Sequence, residues 1–122
     1  CDGVGLARHC RRSRRGRVGA PVPLEGINTS ADEESGQLSA DQLTLVFDSN
    51  RSGGIGGHDL WFATRSSVTS PFAAPVNLGA LNSAENELNV FMSEDGDEIF
   101  FSSSREDGST YQLWRAARSC DP

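Results

Sequence analysis

The sequence predicts an all-β fold built from a repeated unit of short antiparallel strands. Three observations carry this expectation. A segment of the chain recurs once at constant spacing. Its apolar residues either alternate with polar ones or form runs of two or three. Turn-forming residues stand between those runs.

The recurrence is the strongest of the three. "PVPLEGINTSADEESGQLSADQLTLVFDSNR" (21–51) aligns without a gap on "PVNLGALNSAENELNVFMSEDGDEIFFSSSR" (75–105), an offset of 54 residues. Pro21/Pro75, Leu24/Leu78, Asn28/Asn82, Glu33/Glu87, Ser39/Ser93, Asp41/Asp95, Phe47/Phe101, Ser49/Ser103 and Arg51/Arg105 coincide. After one deletion the match resumes at an offset of 53 with Leu60/Leu113, Trp61/Trp114, Ala63/Ala116 and Arg65/Arg118. A period near 50 residues marks a repeat architecture, in which each unit buries its apolar surface against a neighbour.

The elements follow in order. Leu43, Leu45 and Phe47 alternate with Gln42, Thr44, Val46 and Asp48, the period of a strand. Leu60-Trp61-Phe62 and Ile99-Phe100-Phe101 are apolar on both faces, as in a sheet stacked between neighbours. Asp95-Gly96, Asn50 with Gly53-Gly54, and Asp107-Gly108 supply turns. These signals place strands at about 37–39, 44–49, 59–64 and 74–78, then 89–93, 98–103 and 112–117. Four strands per repeat is the plan of a β-propeller blade.

"LSADQLTLVFDSNRSGGIGGHDLWFATR" and "MSEDGDEIFFSSSREDGSTYQLWRAAR" resemble the PD40, WD40-like propeller repeat of TolB-like bacterial envelope proteins. Leu38, Ser39, Asp41, Phe47, Ser49, Arg51, Gly53, Gly54, Asp59, Leu60 and Trp61 carry the likeness. Gln42 and Gln112 depart from it, where Gly and Asp are usual. The resemblance implies about two blades of an incomplete propeller: residues 21–79 ending a preceding blade and forming a full one, and 80–122 forming a second, incomplete one. Four such units need about 216 residues. The chain is therefore expected to belong to a longer protein, or to need further blades or self-association.

Charge divides the chain. Residues 1–20 form a basic arm, with six Arg against Asp2, and the remainder holds five Arg against sixteen acids. The arm is expected to be disordered or foreign to the repeat. The acidic body argues against nucleic-acid binding by the folded part, since it repels phosphates. No apolar run approaches the roughly 18 residues of a membrane span. Cys10 and Cys120 are a possible disulfide, and Cys1 resembles the acylated first residue of a lipoprotein.

Gly53–Gly57 leads from strand to strand. A phosphate cradle needs a helix N-terminus behind its glycines, so the stretch is read as a hairpin turn. Ser39-x-Asp41 and Ser93-x-Asp95 resemble the start of a sialidase Asp-box, whose later Gly and Trp are missing here; each Asp is read as folding back onto its own turn. No nucleophile elbow is present, and neither His9 nor His58 has metal-ligand spacing around it, so no metal and no cofactor is expected.

The candidate ligand-binding residues are Glu33, Glu87, Arg51 and Arg105. Glu33 and Glu87, expected just before the innermost strand, could bind a cation or act as an acid–base pair on the rim or channel. Arg51 and Arg105 are expected to form ion pairs within the blade or contact an anion on the rim. The leading function is a non-catalytic scaffold of the periplasm or cell envelope that binds a protein, peptide or glycan. The alternative is the propeller portion of a hydrolase or glycan-active enzyme.

Overall fold

The computed structural model describes residues 18–117. Most of the basic arm, and with it Cys1, Cys10 and Cys120, lies outside the described residues. The described chain is all β, with two antiparallel sheets and one short 3₁₀ turn at Gly79–Leu81. The first sheet has the order β1 (Glu33–Leu38), β2 (Thr44–Ser49), β3 (Asp59–Thr64), β4 (Val76–Asn77). The second has β5 (Glu87–Met92), β6 (Glu98–Ser103) and β7 (Gln112–Ala117). No helix of the described residues is long and apolar enough to cross a membrane.

β2, β3, β6 and β7 occupy the segments expected from their apolar runs. β1 starts four residues earlier than the pattern indicates, at Glu33. A bulge explains the difference. The β1–β2 register shifts between Glu34 and Gln37, and Ser35 takes a positive φ of 58°. One extra residue breaks the two-residue alternation, so the acidic half of the strand reads as loop. β5 repeats the device, with a shift between Leu88 and Phe91 and Asn89 at φ 55°. β4 is two residues long, shorter than the expected 74–78.

Alternation along β2 and β3 sends side chains to opposite faces. Leu45, Phe47, Trp61 and Ala63 form one core with Ile27, and Phe72 packs against it. Val46 and Leu60 form the other core with Val90, Met92 and Phe101 of the second sheet, and Phe62, Leu78, Leu81, Ile99 and Trp114 pack around it. The two sheets therefore stack head to tail. The second sheet meets the first through Ile99, Phe101 and Trp114, the repeat counterparts of Leu45, Phe47 and Trp61. Trp114 thus lies at the junction of the sheets, whereas Trp61 lies on the far face of the first.

Polar groups set the approach of the sheets. Asn82 Oδ1 accepts from the Leu60 amide at 2.7 Å, and its Nδ2 donates to the Leu60 carbonyl at 3.1 Å. Gln37 grips Met92 in the same way, accepting from its amide at 2.6 Å and donating to its carbonyl at 3.3 Å. Gly56 lies so close to the 83–85 backbone that a β-carbon there would stand 2.3 Å from the Glu85 carbonyl oxygen. The glycine is required by contact with the next unit.

The same leucine has opposite surroundings in the two units. Leu60 is 0% exposed, while its counterpart Leu113 is 80% exposed. Leu60→Ala is expected to cost about 2–5 kcal/mol, and Leu113→Ala to stay within about 0.5 kcal/mol of the parent. Urea melts of both variants check this; equal losses at the two sites would contradict the head-to-tail stack.

Candidate functional site

Two polar constellations stand out, one present in both units and one present in only the first. The repeated one begins at the strand Ser. Ser49 Oγ donates to Glu33 Oε2 at 3.0 Å and accepts from the Arg51 amide at 3.0 Å and its Nε at 3.1 Å. The Arg51 guanidinium donates to the Ile27 carbonyl at 2.5 Å and lies 3.3 Å from Glu33. It also stands over the rings of Phe47 and Trp61, 5.0 and 5.2 Å from their centroids. Thr29 supplies amide and hydroxyl donors to the same carboxylate.

The second unit reproduces the set. Arg105 bonds Ser103 and the Leu81 carbonyl, lies 3.4 Å from Glu87, and covers Phe101 and Trp114. Ser83 takes the place of Thr29 and donates to Glu87. The four residues picked from the sequence therefore come together as two pairs, Glu33 with Arg51 and Glu87 with Arg105, one in each sheet. Glu33 and Glu87 are the first residues of β1 and β5, not loop residues ahead of them. Each pair ties the turn before its sheet's first strand to that sheet's aromatic face, by charge-assisted hydrogen bonds and cation–π contact.

Turn chemistry uses the remaining repeated acids. Asp41 accepts from the Ser39 hydroxyl and the Leu43 amide, and Asp95 from the Ser93 hydroxyl and the Asp97 amide. Their ionisation is favoured accordingly. The Ser39 hydroxyl, then the Leu43 amide, holds Asp41 below the usual aspartate range; the Asp97 amide, then the Ser93 hydroxyl, does so for Asp95. In the glycine-rich loop, buried Asp59 accepts from the amides of Ile55 and Gly56. A side-chain carboxylate of the protein occupies the N–H groups that a phosphate would need.

The second constellation comprises Glu34, Asp48 and His58, which follow one another on the face turned toward the second sheet. Glu34 is paired with Asp48 across β1 and β2, and His58 directly precedes β3. One ligand atom of each lies within 4.8 Å of the other two. His58 Nδ1 is 2.9 Å from Asp48 Oδ1, and Asp48 Oδ2 accepts from the Asn89 amide of β5 at 3.1 Å. The backbone of His58 is held on both sides: its amide donates to Asn86 Oδ1 at 2.7 Å, and its carbonyl accepts from the Glu87 amide at 2.8 Å. Asp48 is fully buried, and burial pushes its carboxyl above the usual range despite the hydrogen bonds from His58 and Asn89. Sequence reasoning passed over this group. Its members are 14 and 10 residues apart, and only strand register brings them together.

No family model, curated protein or solved structure matches this chain.

Glu33 yields a pH dependence. Burial opposes its ionisation, but hydrogen bonds from Thr29 and Ser49 and the charge of Arg51 together lower it below its ordinary value of 4.5. A depressed carboxylate stabilises the fold above its unfolded value, and that stability is lost as the pH falls through the folded value. Glu33→Gln should therefore melt below the parent at pH 7, and the gap should close as the pH drops below about 4.5. Thermal melts across this range check it; a gap independent of pH would show that the charge contributes nothing.

Proposed function

We propose that the two sheets are consecutive blades of a β-propeller. In this reading the protein is a non-catalytic scaffold of the bacterial cell envelope, whose loops bind a protein, peptide or glycan. One observation carries the architectural part. The face through which the second sheet meets the first is the repeat copy of the face that the first sheet turns away from it. Such stacking is heterologous, so the same contact can be made again at either end. Propeller blades stack around their axis in this manner, and the four-stranded first sheet has a blade's strand order.

The scaffold part rests on how the repeated polar residues are used. Glu33 and Glu87, the acids with the best claim to acid–base chemistry, are bonded to the Ser and Arg of their own sheets. A residue repeated in each unit in this way serves the unit. Binding then falls to the loops that differ between units. The envelope location follows from the likeness to TolB-like repeats.

Both free faces are exposed at identifiable residues. Leu113 marks one, and Leu38 the other, being 41% exposed where its counterpart Met92 is 9% exposed. The chain is expected to associate with itself through these faces. Leu113→Asp and Leu38→Asp each block one face, so each variant alone should sediment as a monomer. Mixed in equal amounts, each retains the face the other lacks, and the mixture should form dimers and nothing larger. Sedimentation velocity decides; a parent that stays monomeric, or variants that do not pair when mixed, would overturn the blade reading.

A further inference from the structure

We propose that Glu34, Asp48 and His58 form a binding site for a divalent first-row transition-metal ion, with one imidazole and two carboxylate donors. The site goes beyond the scaffold reading and does not depend on it.

The donor geometry is the first argument. With its proton removed, His58 Nδ1 presents a lone pair 2.9 Å from Asp48 Oδ1. That is about the separation of adjacent donors on one ion with bonds near 2.0–2.2 Å. All three donor atoms lie within 4.8 Å of one another. In the metal-free protein a proton bridges the His58–Asp48 contact, so metal entry releases that proton.

The Asp48 carboxylate is oriented by the Asn89 amide, as metal ligands are by their outer partners. Asn86 and Glu87 fix the backbone that carries His58. Glu34 is exposed and His58 half-buried, so the remaining coordination positions open to water. The arginine ion pairs among the described residues go to Glu33, Glu87 and Glu98, none to this cluster.

Comparison of the two units supplies an independent argument. The Glu/Ser/Arg set and the Ser/Asp turn occur in both and brace each sheet internally. Glu34, Asp48 and His58 occur once, and the second unit has Leu88, Ser102 and Tyr111 at those positions. The second sheet forms without them, so a sheet of this kind does not require them, although Asp48 also accepts from the Asn89 amide of the other sheet. Nitrogen and carboxylate donors without thiolate suit Mn²⁺ through Zn²⁺ better than Ca²⁺, which favours six to eight oxygens.

Mn²⁺ is the probe, because it has little affinity for the three cysteines elsewhere in the chain. Titration of the full chain at pH 7.5, followed by the electron paramagnetic resonance signal of free Mn²⁺, should show one bound equivalent. Asp48→Asn and His58→Ala, each checked for folding by circular dichroism, should bind at least about tenfold more weakly. Glu25→Gln should bind as the parent does. A second measurement needs no variant: substoichiometric Mn²⁺ should broaden the amide resonances of Glu34, Asp48 and His58 first. No binding by the parent, unchanged affinity in the two folded variants, or broadening centred instead on the acidic turn at Glu94, Asp95 and Asp97 would overturn the proposal.

Discussion

The need to cover the apolar face of Val46, Leu60 and Phe62 is the constraint on which the rest of the structure depends. A sheet that is apolar on both faces cannot stand in water alone, and each buried aliphatic side chain of this size contributes about 1.5–3 kcal/mol only when it is covered. The second sheet covers this one with Val90, Met92 and Phe101. Close approach in turn demands Gly56 where the 83–85 backbone passes, and brings Asn82 and Gln37 onto the backbones of Leu60 and Met92. The sheets are thus joined by apolar contact through their middle and by side-chain amides at their margins. Those side-chain amides pair the backbone amides of Leu60 and Met92, and Asn82 adds a second donor to the Leu60 carbonyl, which also accepts from the Leu78 amide.

Each sheet is braced by the same internal device. The arginine after β2 and β6 lies over two aromatic rings of its own sheet, while its guanidinium reaches a carbonyl in the turn before that sheet's first strand. Glutamate, serine and arginine neutralise one another there. Charge is tolerated beside the core because both carboxylate oxygens, and Nε and Nη2 of the guanidinium, have partners close by. Where the two units diverge, polar residues join one sheet to the other: Asp48, buried beside a histidine that the second unit lacks, accepts from the Asn89 amide, and Gln37 holds Met92.

Much of this was legible in the sequence because repetition exposes it. β2, β3, β6 and β7 are short apolar runs bounded by turn residues, and the matched Arg51 and Arg105 pointed to ion pairs within each unit, though not to Glu33 and Glu87 as their partners. β1 and β5 were harder. Ser35 and Asn89 adopt positive φ inside a strand, which destroys the alternation that would have extended β1 back to Glu33. Glu33 and Glu87 consequently read as loop acids facing a channel. Trp61 and Trp114 looked equivalent in sequence, yet the stack places one on an outer face and one at a junction, a distinction that depends on which neighbour is present. His58 carried no local signal, since Glu34 and Asp48 reach it through strand pairing.

The central claim is that the two sheets form one cooperative unit joined face to face. Residue-resolved amide hydrogen exchange tests it most directly, at three of the amides that bond across the junction: Leu60 to Asn82, Asn89 to Asp48, and Met92 to Gln37. Joined sheets open together, so these amides should be protected to the same free energy as those of Phe47 in β2 and Phe101 in β6. Fast exchange at all three, with β5–β7 opening while β1–β4 stay protected, would show two independent sheets and contradict the account.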